Sequence, residues 1–384
     1  MDSTTRPIKK TRSRGWFSVA LTICESAFRN YANRTRAHVE QLDRKAIIYG
    51  AFKGMGDLLC AAPVIASELT SGVDVTLLLF PHLQTFADLI DFGPNRNNLH
   101  IVTLPFPMKW STLRPYLNAM RVLTPDLVWY SPHSPLNASS WKIPLLLALT
   151  KRRYWSAAKL AGAQSERLSW LFDIRLPIDR TLPYALRELT AYKMMDPHTK
   201  QRHIPTIRFT ERIQRTRHLP PLYDLLIHPG ASASNRKWPH KYYGELLQYL
   251  PDHWRVAITA LPDDVNNIQA VLPPGHRVDF ITGALEDAIK SIARARLAVT
   301  MDSGPMFFAK VLGVPTIVLF GPSDPKQVVE SSPDIVPIFT PTWPCQPCSN
   351  ARCHQKETYC MQSIDPLTVA KELAKRLPLS QFHD

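Results

Sequence analysis

Three short clusters in this 384-residue chain combine the residue types needed to activate a hydroxyl and to carry away an anionic leaving group. The first is Lys53-Gly54-Met55-Gly56-Asp57, read as a Gly-x-Gly turn that opens a helix. A carboxylate projecting from such a turn can take the proton from an attacking hydroxyl. Asp57 equally suits the plain task of complementing the helix dipole. The second is His228-Pro229-Gly230-Ala231-Ser232, followed by Ser234 and Arg236-Lys237-Trp238-Pro239. Arg236 and Lys237 can neutralise charge developing on a diphosphate without a metal ion, and Gly230, Ser232 and Ser234 offer donors to phosphate oxygens. A solvated basic pair at a loop end is the plainer reading.

The third cluster, Asp302-Ser303-Gly304-Pro305-Met306, lies in residues 299–322, which run apolar strand, acidic turn, Gly-Pro, short helix, strand. Pro305 suits a first helical position, which leaves the N–H groups of that turn free to face an anion. Asp302 is suited to sugar hydroxyls or to the helix end. Thr282 and Gly283, at the end of another strand, fit the same pocket. An ordinary strand-to-helix turn capped by Asp302 and Ser303 explains this segment too.

Such residues must be held at the carboxyl ends of parallel strands. From residue 46 the pattern alternates: strands at 46–50, 73–80, 100–104 and 126–130, with helices between them, the first at 58–69. A polar, proline-marked stretch at 205–222 reads as a connection. A second alternating series follows, with strands at 224–228, 255–260, 278–281, 297–301 and 315–320 and a last helix at 366–377. The expectation is an α/β chain of two Rossmann-like domains facing across a cleft, spanning 46–220 and 221–384.

The formal net charge is +14, and its surplus lies in the first part of the chain: residues 221–384 hold 15 Lys or Arg against 16 Asp or Glu. The first part is therefore expected to meet an anionic partner. In residues 1–45 a basic tract, Arg6 to Arg14, precedes Trp16, Phe17, Val19, Leu21, Ile23 and Phe28, a basic amphipathic segment suited to a membrane surface. A basic tail, or a helix packed on the protein itself, fits as well. Residues 16–28 are too short and too polar to span a bilayer, and no cleavage pattern follows them. The expected address is cytoplasmic, peripheral at the inner membrane. No zinc-finger, helix-turn-helix or ribonucleoprotein signature accompanies the charge, so nucleic acid is not the expected partner. Lys109, Trp110 and Arg114 on a proline-bounded loop, Lys151-Arg152-Arg153 after a helix, and His133 near Ser131 and Ser134 are candidates to meet phosphate or carboxylate groups of an acceptor. A solvated surface role is the alternative for each.

Cys345, Cys348, Cys353 and Cys360 cluster near the end of the chain, a spacing suited to a structural zinc or iron, with free thiols as the alternative.

Together with Phe320-Gly321-Pro322, these clusters resemble glycosyltransferase family 9, the bacterial heptosyltransferases that build the lipopolysaccharide inner core. The resemblance covers about residues 46–377. It implies a GT-B fold, a nucleotide-sugar donor such as ADP-heptose, an anionic lipid-linked saccharide acceptor, Asp57 as the base of an inverting transfer, and no cofactor for the chemistry. Heptosylation of a protein such as an autotransporter is a variant within the family, and a non-catalytic sugar-binding protein or a nucleotide-sugar epimerase lies outside it. Two positions depart from the family pattern. Arg236 stands where relatives carry Lys two residues before Trp-Pro, and Phe307 stands where they commonly place His. A ring without nitrogen cannot donate to phosphate or sugar, which bears on the donor more than on the fold.

Overall fold

The computed structural model describes residues 46–52, 54–105, 109–131, 142–164, 168–195, 204–330, 332–348, 352–355 and 357–377. The basic first 45 residues, Lys53, His133 and Ser134 lie outside these. Two six-stranded sheets organise the chain. The first has the order β4-β2-β1-β5-β6-β7, from β1 (Ala46–Phe52), β2 (Asp74–Leu79), β4 (Leu99–Thr103), β5 (Leu127–Tyr130), β6 (Lys159–Ala163) and β7 (Ile174–Leu176). The second has the order β11-β10-β9-β12-β13-β14, from β9 (Tyr223–His228), β10 (Arg255–Thr259), β11 (Arg277–Ile281), β12 (Ala295–Met301), β13 (Thr316–Phe320) and β14 (Ile335–Phe339). Every pairing in both is parallel. Strands such as Thr-Ile-Val-Leu-Phe in β13 and Leu-Val-Trp-Tyr in β5 are buried throughout, as a sheet covered on both faces requires.

Both orders reverse at their centre, between β1 and β5 and between β9 and β12. In an open parallel sheet, ligands bind beyond the carboxyl ends of the strands at such a reversal. Asp57 follows β1, Ser131 follows β5, His228 ends β9 and Asp302 follows β12. The alternating pattern therefore carried the chemistry-bearing residues to the two reversal points.

Helix α1 (Met55–Thr70) begins three residues earlier than the sequence pattern indicates, so Gly56 and Asp57 lie inside its first turn and only Gly54 belongs to the turn before it. On the other face of the first sheet, α2 (Trp110–Arg121) and α3 (Lys142–Tyr154) pack through Tyr116, Met120, Leu146 and Leu147 against Ile48, Leu78 and Val128. Trp110 and Arg114 are thus helical, and Lys151 to Arg153 form the last turn of α3; the loop and post-helix placements do not hold. Helix α4 (Tyr184–Met195) returns to the α1 side.

Residues 205–222 are a packed element instead of a plain connector. Strand β8 (Arg208–Phe209) pairs antiparallel with β3 (Ile90–Asp91), and α5 (Glu211–Arg217) lies on α8 (Leu285–Ala293), following α6 (His240–Leu247) and α7 (Pro262–Gln269) in the chain. The buried aliphatic pair Ile207 and Ile213 and the ring of Phe209 override the local proline and arginine content. Helix α9 (Gly304–Leu312) ends at Gly313, whose φ of 62° is the left-handed conformation that closes a helix at low cost to glycine. The final helix, α10 (Pro366–Arg376), packs on α6.

One hydrophobic core runs from the first unit into the second. Phe86 and Phe209 meet Phe308 of α9 with ring centroids 5.2 and 6.0 Å apart. The two sheets are therefore held at a fixed spacing by aromatic contacts beneath the cleft.

Candidate active site

The cleft floor is formed where the starts of α1 and α9 meet. A side-chain carbon placed on Gly304 would stand 3.6 Å from Met55, and one on Gly56 would stand 2.6 Å from the ring of Phe307. Gly56 therefore serves the contact between helices, where only a hydrogen leaves room for the aromatic ring. Phe307 fills this junction, and the apolar residue is explained by packing: it sits between two helix starts, half-buried, against the core of both units.

Asp57 stands beside that junction. Its Oδ2 accepts the Gly54 N–H at 2.9 Å, so the carboxylate does hold the helix start, while the side chain remains partly open. Helix capping and proton abstraction are compatible here, because one oxygen takes the backbone bond and fixes the orientation of the other.

Across the cleft, Asp302 is 4% exposed, and Arg236 Nη1 lies 3.2 Å from its Oδ2. Arg236 Nε is buried without a hydrogen-bond partner among the described residues. A buried unpaired guanidinium N–H is costly, and an anionic oxygen would relieve it. Lys237 behaves differently: its Nζ lies 3.1 Å from Asp264 Oδ2, and His240 Nε2 lies 3.4 Å from the other oxygen of the same carboxylate. The two adjacent cations, read together in the sequence, are thus divided between two carboxylates. Asp264 is a shared anchor for Lys237 and His240. The side chain of Asp263 is outside the description.

His228 Nδ1 lies 2.9 Å from Thr259 Oγ1, and its ring occupies the space beside Gly230, where a Cβ would come within 2.8 Å of Nε2. Burial pushes the imidazole down to about 4 despite Asp264 nearby, so it is neutral at pH 7. Ser232 and Ser234 are exposed on the loop before Arg236. Thr282 and Gly283 are exposed after β11, and Asp287 accepts the following Ala284 N–H at 3.1 Å, so that helix start already has its anion. Ser303 donates to the Met301 carbonyl at 3.3 Å. Pro305 and Met306 are buried, Met306 completely, so this pair presents backbone and not side chain to the cleft.

Tyr184 was not singled out from the sequence. Its phenol, pushed up to about 12 by burial first and by Asp302 next, also feels Arg236, Arg187 and Asp57. The ring packs on the buried cluster that contains Met306, Val318 and Phe320 and carries the Arg187 guanidinium 4.9 Å from its centroid. It lies within electrostatic range of the acid of the first unit and of the ion pair of the second. The signal was an aromatic residue opening a helix after Pro183, which propensity alone does not distinguish from a core position. Glu188, one turn further along α4, is fully buried and accepts from Trp129 Nε1 at 2.7 Å and Ser131 Oγ at 3.0 Å, fixing the end of β5.

The residues 184–359 match the family model of glycosyltransferase family 9 (heptosyltransferase). Over those residues the chain is similar to glycosyltransferase family 9. A curated relative, lipooligosaccharide heptosyltransferase 2 of Campylobacter jejuni serotype O:6, is 25% identical over 157 residues, covering 39% of this chain and 50% of its own. The chain thus spans about half the length of that relative. Among solved structures, Escherichia coli ADP-heptose lps heptosyltransferase II superposes with a TM-score of 0.62 at 18% identity, covering 87% of this chain and 98% of the other. E. coli heptosyltransferase WaaC with ADP-2-deoxy-2-fluoro heptose gives 0.61 at 13% identity, covering 86% and 99%. The fold is accordingly GT-B, as the resemblance implied.

Among the described residues no three His, Cys, Asp or Glu side chains gather in an arrangement able to hold a metal ion. Cys353 and Cys345 lie within electrostatic range of Cys360, while the described backbone and side chains of the segment are bonded elsewhere. Cys348 N–H donates to the Pro322 carbonyl at 2.6 Å, Cys353 Sγ donates to the Glu357 carbonyl at 3.4 Å, Cys345 is exposed, and Cys360 is buried beneath Gly321. No step below involves a metal.

Proposed function

We propose that the chain is an inverting glycosyltransferase that moves heptose, or a similar sugar, from an ADP-sugar to an anionic lipid-linked saccharide of the lipopolysaccharide core. The supporting observation is that Tyr184 lies within electrostatic range of both Asp57 and the Arg236–Asp302 pair, each carried at the carboxyl edge of its sheet near a reversal of strand order. In this reading residues 46–220 hold the acceptor and 221–384 the donor. Asp57 takes the acceptor proton as its oxygen attacks the anomeric carbon from the face opposite the diphosphate. Arg236 draws the departing diphosphate with its unpaired Nε and remaining guanidinium donors, while the first-turn N–H groups of α9 face the same charge. Lys237, held by Asp264, shapes the adjoining nucleotide pocket. Asp302 orients Arg236 and faces the sugar.

The relatives' names support this donor and acceptor class: one solved neighbour is described with an ADP-heptose analogue, and the curated relatives are lipooligosaccharide or lipopolysaccharide heptosyltransferases. No helix among the described residues is long and apolar enough to cross a membrane, and the reading takes the enzyme as peripheral at the cytoplasmic face. The test is incubation of the protein with ADP-heptose and truncated core lipids, followed by mass spectrometry of the lipid. A heptose increment that disappears in Asp57→Asn supports the proposal. Donor binding with no increment on any core lipid would favour a sugar-binding protein, the reading motivated by Phe307, and an increment on a protein acceptor would favour the autotransporter variant.

A further inference from the structure

The front unit carries a second charged feature, on the sheet face opposite to α1. Between residues 92 and 164 the sequence contains nine Lys or Arg and a single acid, Asp126. Asp126 is turned inward, accepting the Ala46 N–H at 2.9 Å. Neither α2 nor α3 contains an acidic residue. These two helices lie side by side, with the Tyr116 hydroxyl 3.4 Å from Thr150 Oγ1 and Trp155 Nε1 donating to the Met120 carbonyl at 2.9 Å. Their inner residues fill the core, and their outer residues are cationic and apolar together.

Trp110, Arg114 and Arg121 are spaced by four and seven residues, so they follow one stripe of α2. Trp110 is 83% exposed, Val122 just beyond the helix is 78% exposed, and Leu149 on α3 is 57% exposed. Arg152 and Arg153 continue the surface at the end of α3. Lys109, Arg114, Arg121 and Arg152 form no ion pair among the described residues, whereas Lys151, nearer the sheet, is neutralised by Asp173 at 3.3 Å.

We propose that the outer face of α2 and α3 docks on an anionic phospholipid surface, with Trp110 at headgroup depth and the arginines on lipid phosphates. Unpaired cations without intervening carboxylates match a uniform negative plane, and an exposed tryptophan in the same stripe suits an interface that is wet on one side and apolar on the other. Because α2 leaves the carboxyl edge of β4, Trp110 marks the cleft end of this face. Docking there lays the strands along the bilayer and brings the cleft rim to a lipid-borne acceptor. The inference deepens the transferase reading in that last step, yet lipid binding itself requires neither donor nor turnover.

The test is co-sedimentation of the full chain with vesicles of phosphatidylglycerol and phosphatidylethanolamine, against vesicles of phosphatidylcholine, at physiological salt. Binding to the anionic vesicles alone is expected. It should fall at least tenfold in Arg114→Glu/Arg121→Glu/Arg152→Glu and severalfold in Trp110→Ser, with thermal unfolding unchanged in both. A parallel variant replaces Lys9, Lys10, Arg12 and Arg14 by Glu. If binding is abolished by that replacement and untouched by the helix-face variants, the proposal is overturned. Equal binding to both vesicle types overturns it as well, as does loss of duplex DNA binding in the triple variant with vesicle binding intact. Should vesicle binding behave as expected while no core lipid gains mass, the surface stands and the transferase reading alone fails.

Discussion

The two sheets share one topology and arrange their charges in opposite ways. In the second unit, charge is concentrated at the carboxyl edge and locked in pairs: Arg236 with Asp302, Lys237 and His240 with Asp264. In the first, the cleft edge holds Asp57 on a helix start, an aromatic wall and the bonded Glu188, while unpaired cations face outward on α2 and α3. The difference follows from what each must meet. A diphosphate needs cations whose positions are fixed before it arrives, since reorganisation would be charged against its stabilisation. A general base needs a carboxylate held in a fixed orientation toward the hydroxyl it deprotonates, which the Gly54 N–H supplies to Asp57.

The largest effect that would break this contrast is at Asp57. Asp57→Asn keeps an oxygen able to accept the Gly54 N–H, so stability should change by less than about 0.5 kcal/mol. Turnover should fall by about 10²- to 10⁴-fold, the range for loss of a general base. Steady-state rates beside a thermal melt read both quantities. A variant that keeps turnover moves the base elsewhere.

The paired design of the second unit is tested through Arg236. Arg236→Ala removes a donor to the leaving group, with an expected loss of roughly 10²-fold in turnover. It also strands the buried Asp302 carboxylate, with a stability cost of about 1–3 kcal/mol. Adding Asp302→Asn to Arg236→Ala should restore much of the stability and none of the rate. If the double variant unfolds as early as the single one, the pair is not what holds this edge.

Much of this contrast was legible in the sequence because it rests on local signals. Gly-Asp opening a helix, Gly-Pro after a buried strand and the alternation of apolar strands with helices each fix backbone geometry over a few residues, and the order of the strands then brings them to one edge. Three features were hidden because they depend on contacts across the chain. Tyr184 gains its place from the cluster that holds Met306, more than 120 residues later. The division of Arg236 and Lys237 between two carboxylates depends on where β10 and β12 end, which spacing does not encode. The linker at 205–222 looked polar and broken, yet Phe209 and Ile213 bury against α8 and α9. Phe307 was legible as a departure but not as a packing residue, since its partner is the hydrogen of Gly56.

That junction supplies a smaller effect. Gly56→Ala would drive a methyl into the Phe307 ring, with an expected cost of about 1–3 kcal/mol. Phe307→Ala makes room for it, so the double variant should be more stable than the sum of the two single losses by at least about 0.5 kcal/mol in denaturant unfolding. Strict additivity would mean that the two helix starts do not touch in solution, and the cleft floor beside Asp57 would open with them.

The last effect concerns His228, whose folded pKa of about 4 lies below its ordinary value near 6.5 because the ring is buried against Thr259. Between these values the unfolded chain binds more protons than the folded one, so the stability linked to this ring is complete above pH 6.5 and is lost as pH falls toward 4. His228→Asn carries no such proton. Relative to wild type it should therefore gain roughly 2–3 kcal/mol between pH 6.5 and pH 4, whatever its absolute stability at neutral pH. Urea unfolding at the two pH values measures this difference directly. A constant gap between the proteins would mean that the folded ring takes its proton as readily as the unfolded chain does, and burial would then not be what shifts it.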